Sequence, residues 1–428
     1  MNALSPPVRE AGPGKDAAGS LDLSRVRTID RVDVRGKRVL IRVDFNVPIE
    51  GGIVADATRL ERVLPTIAKL AREGAKVVVL SHLGRPKGVP TPETSLQPVA
   101  AKMQELMPGT TIRFVGASVG DEAKRAVDAL QAGEVVVLEN LRHHKGEEKN
   151  DPDFAKGLAA LGDIYVNDAF SSSHRAHASM EALPHLLPSY AGLLMMAEIT
   201  ALGEALEDPD RPVMAIVGGA KVSTKIEVLT NLAARMDQLV VGGGMANTFL
   251  HAKGTKIGAS FCEADFMATA KDIMARAERS GCEIVLPSDV VVAKALKAGA
   301  DWRVCPVGEV PADAMILDFG PESLADLERR LGTVKTVLWN GPLGAFETAP
   351  FGEATFALAR EVARLTKAGK LVSVAGGGDT VRALNAAHVA PDFTYVSTAG
   401  GAFLEWLGGR ELPAVVALAR SGARAAPG

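Results

Sequence analysis

The sequence predicts two α/β domains, each a Rossmann-like three-layer (αβα) unit with a mostly parallel sheet, joined by an interdomain helix and a hinge. Three observations predict this fold. The chain has 428 residues, more than one hydrophobic core usually organises. Apolar runs of strand length alternate with stretches whose apolar residues recur at helical spacing, as in βαβ units. One central segment is apolar around nearly its whole circumference, as expected of a helix between two domains.

The predicted domain boundaries follow from this apolar helix. Residues 1–21 have neither an apolar core nor an Arg-rich amphipathic face, and we interpret them as a disordered N-terminal extension. We expect an N-terminal domain over 22–189, the interdomain helix over 190–207 and a C-terminal domain over 208–404.

The N-terminal half reads as alternating buried strands and amphipathic helices. Strands are predicted at 37–44, 75–81, 111–115, 134–138 and 163–168. Helices are predicted at 59–73, 95–107, 119–131 and 153–161. The pattern breaks at a Pro-bearing segment before residue 190, where the apolar helix begins.

The C-terminal half repeats this architecture without repeating the sequence. Its strands are predicted at 213–217, 238–241, 283–286, 334–340, 370–375 and 393–397. Nearly all of them end at or just before Gly, Asn or Ser. Because open α/β sheets bind ligands beyond the carboxyl ends of their strands, the residues that follow these strands are the site candidates.

Composition excludes several classes of function. With 47% hydrophobic residues, 23% charged residues and a formal net charge of -3, the chain has no overall attraction to nucleic acid or to an anionic membrane. No apolar run reaches the roughly 18 uncharged residues that a transmembrane helix needs. Cys262, Cys282 and Cys305 lack CxxC spacing, which favours reduced buried thiols over a metal site or disulfides and indicates a cytoplasmic protein.

Glycine clusters follow the strands of the C-terminal half. A single cluster is commonly a tight turn or a close helix contact. Several at one sheet edge favour a cradle of backbone N–H groups around an anion. The sequence contains neither GxxxxGK[ST] nor a clean GxGxxG, which argues against a P-loop and against an ordinary dinucleotide site. The clusters are Gly218-Gly219, Gly242-Gly243-Gly244, Gly376-Gly377-Gly378 and Gly400-Gly401.

Charged residues accompany two of these clusters. Lys221 and Lys225 are four residues apart where a helix is predicted to begin, so we expect them on one face, near its positive end. Solvated surface lysines are the alternative, but two cations gain nothing from a helix N-terminus unless they share an anion. Asp379 could cap the next helix. It could equally supply a carboxylate to Mg²⁺ bound to a nucleotide.

Arginine and histidine replace glycine after the N-terminal strands. A lone arginine is usually a surface ion pair, but several at one sheet edge match carboxylate and phosphate groups. Asp44 and Asn46 could hold hydroxyl groups, so the implied ligand is small, multiply anionic and hydroxylated. The basic candidates are Arg42, Arg59, Arg85, Arg142 and Arg175, with His82, His174 and His177.

Taken in order, these motifs resemble those of the phosphoglycerate kinase family. RVDFNVP, SHLGRP, LENLR and HRAH in the first half, and GGAKV, GGGMA, WNGPLGAFE, GGGDT and STAGG in the second, match the family in content and order. The likeness spans residues 22–420, roughly, and is more specific than any single motif.

The resemblance implies a phosphotransferase with a carboxyl acceptor, acting between 1,3-bisphosphoglycerate and ADP to give 3-phosphoglycerate and ATP in glycolysis, gluconeogenesis or carbon fixation. It implies that the N-terminal domain binds the triose and that segment 405–420 packs back onto this domain. Asp44 and Asn46 would contact the triose hydroxyl region. The triose phosphate and carboxyl groups would be bound by Arg59, His82, Arg85, Arg142 and Arg175.

For the nucleotide, the resemblance implies ADP or ATP with Mg²⁺ on the C-terminal domain. Lys221 would lie by the transferred phosphoryl group and Lys225 by the nucleotide phosphates, with Glu347 near the ribose and Asp379 toward Mg²⁺. The pocket would be lined by Gly320, Asn340, Glu347, Gly377, Gly378, Asp379 and Thr380. Our hypothesis gives the catalytic roles to Arg59 and Lys221, assisted by N–H groups around Gly377 and Gly400.

This chemistry needs no general base, because the attacking carboxylate is already ionised at neutral pH. Catalysis then rests on alignment and on stabilising charge over the phosphoryl oxygens. Two substrates on separate domains predict a hinge-bending closure that excludes water. We expect a monomer with small-molecule partners only.

Some positions depart from the common family pattern, and two other readings stay open. A Cβ at Ala399 would interfere if its backbone needed a positive φ. The other departures are Asn247, Thr224, His143 and Phe403. A dinucleotide-dependent oxidoreductase would require an NAD-binding fingerprint. A non-catalytic protein on this fold should lack some of the catalytic candidates, yet Arg59, Lys221, Lys225 and Asp379 are all present.

Overall fold

The described part of the chain is organised around two large parallel sheets with their helices. The structure, a computed structural model, describes residues 22–424, so the extension predicted over 1–21 lies outside it. Within this range there are two six-stranded sheets in which every paired strand is parallel, which confirms the predicted fold class.

The N-terminal sheet is built from short buried strands. Its strands, with a small antiparallel hairpin formed by the second and third, are β1 (Arg38–Arg42), β2 (Ile49–Glu50), β3 (Ile53–Val54), β4 (Lys76–Leu80), β5 (Ile112–Val115), β6 (Val135–Leu138), β7 (Ile164–Asn167) and β8 (Ser189–Ala191). The order in the sheet is β5-β6-β4-β1-β7-β8. Each strand predicted in this half is present, with ends shifted by at most two residues.

Both faces of this sheet are covered. In β1, Leu40 enters one hydrophobic core, whereas Val39 and Ile41 enter another. Alternate residues of a strand point to opposite faces, so the sheet lies between two layers of helices. Those helices are α1 (Thr58–Arg72), α2 (Gln97–Leu106), α3 (Gly120–Asp128), α4 (Lys145–Glu148) and α5 (Pro152–Ala159).

The predicted interdomain helix starts later than expected. Residues 189–191 form the edge strand β8, paired with β7, and the helix α6 covers only Leu193–Leu202, followed by a wider helical turn over Gly203–Glu207. A three-residue strand next to a long apolar helix leaves no periodic signal of its own. Buried residues of α6 join one apolar cluster that continues from Leu40 of the first sheet to Val217 of the second.

The C-terminal sheet follows the same plan. Its strands, with three others that form a separate sheet, are β9 (Val213–Val217), β10 (Gln238–Val241), β11 (Glu283–Val285), β12 (Asp289–Ala293), β13 (Trp302–Pro306), β14 (Met315–Phe319), β15 (Thr336–Asn340), β16 (Val372–Gly376) and β17 (Tyr395–Ser397). The parallel order is β11-β10-β9-β15-β16-β17. The antiparallel sheet β13-β12-β14, of which only β13 is largely exposed, was not predicted, because its strands lack the helical crossovers that mark βαβ units.

Helices connect these strands, and the last one returns to the first sheet. They are α7 (Ile226–Arg235), α8 (Gly243–Ala252), α9 (Met267–Ser280), α10 (Pro321–Leu331), α11 (Glu353–Lys367), α12 (Gly378–Ala386), α13 (Gly401–Leu407) and α14 (Pro413–Arg424). Helix α14 packs against β8. Its Ala414 N–H donates to Ser173 O at 3.2 Å, and its side chain is buried with Ala169 and Met180.

Two expectations from composition can be compared with the described residues. None of the helices within 22–424 is long and apolar enough to cross a membrane. Cys262, Cys282 and Cys305 are free thiols, of which Cys262 is only partly buried.

Candidate functional site

Asp44 lies at the carboxyl edge of the N-terminal sheet, just after β1. Its carboxylate accepts a hydrogen bond from Arg59 NH1 at 2.7 Å, another from the Ser171 hydroxyl, and one from Asn46 N at 3.0 Å. Burial acts to raise the pKa of Asp44, but the Arg59 guanidinium and the hydrogen bonds from Ser171 and Asn46 hold it below its usual value. Asp44 is therefore a fixed negative charge that holds Arg59 at the rim of the site.

His82 is oriented by a completely buried arginine. Arg42 NH2 lies 3.0 Å from His82 Nδ1, and since arginine can only donate, Nδ1 is the acceptor. The ring proton therefore sits on Nε2, which lies 3.9 Å from Asp44 Oδ1. Burial lowers the pKa of His82 well below its usual value, against the pull of Asp44, so the ring is neutral at neutral pH.

A buried polar network holds the Arg42 side chain. Arg42 Nε donates to Ser179 Oγ at 2.9 Å, and Ser179 Oγ donates to Glu147 Oε1 at 2.6 Å. The Tyr165 hydroxyl donates to Ser179 O at 2.6 Å. Glu147 is fully buried and supplies the negative charge that a buried arginine needs. Neither Glu147 nor Ser179 is predicted as a site residue from the sequence, although both lie in polar segments that follow strands.

Arg142 is a second buried cation at this edge. Only 2% of it is exposed, its NH1 donates to Gly84 O at 2.8 Å, and its Nε lies 3.6 Å from Glu148 Oε1 but has no hydrogen-bond partner within residues 22–424. Burial, reinforced by Arg42 and Arg175, lowers the pKa of Arg142 to about 10, so it stays charged at neutral pH. A buried guanidinium with an unused donor and other cations nearby suits a multiply charged anion.

The remaining basic candidates differ from the buried Arg42 and Arg142 in how far they are buried. Arg175 is partly buried, and its Nε donates to His174 Nε2 at 3.2 Å. Arg85 is exposed, on the loop whose Gly84 N–H donates to Asn46 Oδ1 at 2.8 Å. Asn46 thus braces this loop through its side chain. Burial lowers the pKa of His177 to about 3, so that ring is neutral as well.

Lys221 and Lys225 are not arranged as the spacing predicted. A short 3₁₀ turn, Val222–Thr224, separates them, and α7 begins only at Ile226, so they do not share an α-helical face. The reason is local hydrogen bonding. Thr224 Oγ1 donates to Lys221 O at 2.8 Å, which ties the chain into a tighter turn.

Lys225 is bound to protein oxygens. Its ammonium donates to Gly218 O at 2.7 Å, Asn340 O at 3.1 Å and Asn340 Oδ1 at 2.5 Å. Burial lowers the pKa of Lys225 to about 8, against the opposing charge of Asp379. Lys221, in contrast, is exposed. The two lysines therefore have different surroundings, one bound to protein oxygens and the other at the surface.

Asn340 and Thr380 join the ends of β15 and β16. Asn340 Nδ2 donates to Gly376 O at 2.7 Å. Thr380 Oγ1 accepts from Gly341 N at 2.7 Å and donates to Gly376 O at 2.8 Å. Gly377 between them has φ +96°, and a Cβ there would lie 2.5 Å from Asn340 Nδ2. The polar residues of GGGDT are therefore partly committed to the framework.

The glycines at this edge fall into two groups. A Cβ at Gly218 would lie 1.8 Å from Pro342 O, and one at Gly320 would lie 2.2 Å from the Asp289 carboxylate. These two glycines are required by packing. At Gly378 and Gly400 a Cβ would meet nothing within 4 Å. These positions open onto free space, as a backbone cradle for a ligand requires.

The two carboxylates predicted for the nucleotide site are both exposed and both paired with Arg382. Arg382 NH2 donates to Asp379 Oδ1 at 2.6 Å and to Glu347 Oε1 at 2.8 Å. Arg382 is not among the site residues predicted from the sequence. Its position three residues after Asp379, on the same face of α12, is the signal that could have identified it.

Residues from the two sheets meet in a crevice. Asp44 and Arg59 line one wall, and Thr398 and Ala399 after β17 line the other. Arg62 NH1 donates to Thr398 Oγ1 at 2.5 Å across the crevice. A Cβ at Gly401 would lie 3.3 Å from His174 Nε2, so the STAGG segment directly faces the basic loop.

The departures from the family pattern fit the fold, except that the buried Oδ1 of Asn247 has no hydrogen-bond partner within residues 22–424. Ala399 does not have a positive φ, so its Cβ causes no backbone strain. The ring of Phe403 packs 2.8 Å from where a Cβ of Gly376 would lie. His143 Nε2 lies 2.9 Å from Thr94 Oγ1. Asn247 is buried, and its Nδ2 donates to Phe261 O at 3.1 Å.

Comparisons with known proteins agree with this geometry. The family model described as phosphoglycerate kinase matches residues 29–410. A phosphoglycerate kinase of Methylorubrum extorquens (strain PA1) is 59% identical over 397 residues, covering 92% of this chain and 99% of that protein. One of Rhizobium meliloti (strain 1021) is 58% identical over 386 residues, covering 90% and 96%.

Solved structures give the same result. The structure of phosphoglycerate kinase from Coxiella burnetii superposes with a TM-score of 0.87 at 39% identity, covering 93% of this chain and all of that one, 100%. The crystal structure of the kinase from Pyrococcus horikoshii OT3 has a TM-score of 0.77 at 28% identity, covering 93% and 99%.

Proposed function

The chain belongs to the phosphoglycerate kinase family and transfers a phosphoryl group reversibly between 1,3-bisphosphoglycerate and ADP, and from this premise we propose how its residues divide the work. The triose binds at the basic edge of the N-terminal sheet. The nucleotide binds at the glycine-rich edge of the C-terminal sheet. The observation that carries this proposal is the crevice in which Asp44 and Arg59 face Thr398 and Ala399.

Buried cations support the triose assignment. Arg142 has an unused Nε donor within the described residues, and Arg59 and Arg175 lie at shallower depth. In this proposal Arg59, Arg85, Arg142, Arg175 and the Nε2–H of neutral His82 bind the phosphate and carboxyl groups. Asp44 and Asn46 are partly engaged with Arg59 and the Gly84 loop, and their remaining oxygen capacity serves the triose hydroxyl.

Open backbone supports the nucleotide assignment. Gly378 is the first residue of α12, and its free space lets phosphate oxygens approach the N–H groups at the positive end of that helix. Lys225 would exchange part of its contacts with protein carbonyls for nucleotide phosphates. Gly320, Asn340, Gly377 and Thr380 keep this pocket in shape, and Glu347 would meet the ribose.

The donor set also fits Mg²⁺ carried by the nucleotide. Asp379 is 60% exposed in its side chain and lies in the first turn of α12, next to the open face of Gly378. Mg²⁺ usually takes one or two carboxylates together with substrate phosphate oxygens and water, so a single protein carboxylate is sufficient. When bound, the ion would neutralise charge on the phosphates.

The chain's own residues then act by position and charge. In the ATP-consuming direction, a carboxylate oxygen of 3-phosphoglycerate forms a bond to the γ-phosphorus of ATP. The bond between this phosphorus and the β,γ-bridging oxygen breaks, and ADP leaves with that oxygen. No proton moves, because the carboxylate is already ionised. We assign stabilisation of the transferred group to Arg59 and Lys221, with N–H groups near Gly377 and Gly400 assisting.

Closure of the two halves completes the proposal. We propose that 22–189 with 405–420 forms the triose-binding domain and 208–404 the nucleotide-binding domain, with 190–207 between them. Domain closure brings Lys221 toward Arg59 and excludes water from the acyl phosphate. One chain supplies both halves of the site, so we propose a monomer that acts in the cytoplasm.

A coupled assay tests the residue assignments. Purified protein is mixed with Mg-ATP and 3-phosphoglycerate, and acyl phosphate formation is followed through NADH oxidation by a coupling dehydrogenase. We expect Arg142→Ala to raise the KM for 3-phosphoglycerate at least tenfold, roughly, while the KM for ATP stays within about twofold, because loss of a charged hydrogen bond costs on the order of 2 kcal/mol. A matching rise in both KM values would contradict the division between the sheets.

A further inference from the structure

Arg382 is held in place by three groups from the nucleotide edge. Its NH2 group donates to Asp379 Oδ1 at 2.6 Å and to Glu347 Oε1 at 2.8 Å. Its guanidinium carbon lies 5.6 Å from the centroid of the Phe346 ring, within the range of a cation–π contact. Asp379 lies on α12, whereas Phe346 and Glu347 come from the segment after β15. The site itself therefore determines where the guanidinium lies.

The Arg382 guanidinium binds Asp379 Oδ1, a carboxylate oxygen that the proposed function assigns to Mg²⁺. Asp379 Oδ1 cannot be shared at full strength between a guanidinium N–H and a divalent ion, because both positive charges would then lie within a few ångströms of each other. The side chains of Arg382, Asp379 and Glu347 are 59%, 60% and 56% exposed. Such a pair is weak and reversible, and Arg382 can leave it without stranding a buried charge.

We propose that Arg382 is a resident cation that neutralises Asp379 and Glu347 before the nucleotide arrives, and that competes with Mg²⁺ for Asp379. It thereby reduces the extent to which nucleotide binding depends on Mg²⁺. The inference rests on the proposed function, in which Asp379 is the protein ligand of the metal. Arg382 is a positioning residue in this scheme, and it takes no part in the transfer step.

Two effects of Arg382 act in the same direction on one measurable ratio. Removing its charge frees Asp379 for Mg²⁺, which strengthens binding of the metal-bound nucleotide. Removing it also takes a positive charge from beside the phosphates, which weakens binding of the metal-free nucleotide. Both changes enlarge the factor by which Mg²⁺ improves the affinity for ADP.

The test is calorimetric titration of the full chain with ADP, once with excess MgCl₂ and once with EDTA. The Kd measured in EDTA divided by the Kd measured with MgCl₂ is the factor by which Mg²⁺ improves ADP binding. This ratio is obtained without any turnover. We expect Arg382→Ala to enlarge this ratio about fivefold, the size that loss of an exposed ion pair allows. Arg382→Gln, which keeps a polar group without the charge, should give the same enlargement.

The chain offers a matched control. Arg364 on α11 makes an exposed ion pair of the same spacing, with Glu361 at 2.6 Å, outside the nucleotide edge. Arg364→Ala should leave the ratio at the wild-type value. Asp379→Asn should reduce the ratio toward one, which tests the metal ligand itself. Circular dichroism melting verifies that each variant is folded.

The outcomes separate this inference from the proposed function. An unchanged or smaller ratio in Arg382→Ala and Arg382→Gln, with Asp379→Asn reducing it as expected, overturns the competition alone. A Mg²⁺ effect that survives Asp379→Asn overturns the metal assignment and this inference together. If the wild type binds no ADP in the presence of Mg²⁺, the nucleotide site itself is wrong.

Discussion

Lys221 and Lys225 carry the same charge four residues apart, yet the fold gives them different surroundings. Lys221 is exposed, whereas Lys225 is partly buried and donates to Gly218 and Asn340. A similar difference separates the exposed Arg85 from the buried Arg142. Residue type selects the candidates, but burial and hydrogen bonding decide what each charge can do.

Lys221→Ala tests the role of the exposed lysine. We expect turnover to fall about a hundredfold, the usual effect of removing one donor to a developing charge. Stability and ADP affinity should stay close to wild type, because no buried contact of Lys221 is lost. Initial rates at saturating substrates measure the effect, and Lys294→Ala, an exposed lysine paired with Asp313, is the control. Unchanged turnover would refute the assignment.

Lys225 should take up a proton when the nucleotide binds. Burial lowers its pKa to about 8, so near that pH about half of the free protein carries a neutral amine. Nucleotide phosphates favour the charged form and raise this pKa, which draws in up to about half a proton per site at pH 8. At pH 6.5 the group is already protonated, and the uptake should nearly vanish.

Calorimetry in buffers of different ionisation enthalpy measures this uptake. Lys225→Met removes the group, so its difference from wild type isolates the lysine from titration of ADP itself. Equal proton uptake by the two proteins at pH 8 would contradict the prediction.

The lowered pKa of Lys225 also sets how stability depends on pH. It makes the free energy of unfolding rise as pH increases from about 8 toward 10.5.

Two helices show how one element can serve two functions. In α1, Arg59 pairs with Asp44 in the proposed triose site, and Arg62, three residues later, contacts Thr398 on the other side of the crevice. In α12, Asp379 and Arg382 have the same spacing. Residues three apart lie on one helix face, so each of these helices presents both of its residues to the same side.

Two glycine substitutions separate packing from ligand approach at strand-to-helix connections. Gly218→Ala places a Cβ at 1.8 Å from Pro342 O, which the backbone cannot relieve by rotating a side chain. We expect a loss of about 3 kcal/mol or more in the free energy of unfolding. Gly378→Ala meets nothing within 4 Å, so its stability should be within about 1 kcal/mol of wild type or higher.

Ligand binding should reveal an effect of Gly378→Ala that its stability does not show. If phosphates approach the backbone at Gly378, the added methyl group should weaken ADP binding although the protein stays stable. Urea denaturation and ADP titration measure the two quantities. A stable Gly218→Ala protein, or a Gly378→Ala protein with wild-type ADP affinity, would show that the division between packing glycines and ligand glycines is incorrect.

At the scale of the whole molecule, the two sheets are joined by contacts of different strength. One apolar cluster runs from Leu40 through α6 to Val217 and anchors the halves together. At the crevice, the contacts are polar: Arg62 binds Thr398 and Tyr395, and lies 4.0 Å from buried Glu198. Burial raises the pKa of Glu198 to about 7. An apolar connection between the sheets and a polar crevice suit the closing motion that we propose.

Small-angle X-ray scattering should detect that motion. We expect the radius of gyration to decrease only when 3-phosphoglycerate and the metal-bound nucleotide are both present. Only then does each wall of the crevice carry a bound ligand, so that the two ligands together bridge the crevice. Either ligand alone should leave the radius near that of the free protein. Identical radii in all four ligand states would count against closure.

The sequence by itself determined the fold class, the order and ends of most strands, and the residue types at each sheet edge, because hydrophobic periodicity and glycine positions are local properties. It did not determine β8, the antiparallel sheet β13-β12-β14, or the turn between Lys221 and Lys225, where short pairings and side-chain bonds override the pattern. Tertiary structure alone decided that Arg42 fixes the His82 proton, that Gly218 packs while Gly378 faces open space, and that Arg382 also pairs with Glu347. Each depends on contacts between residues distant in the chain or on side-chain burial, which spacing does not encode.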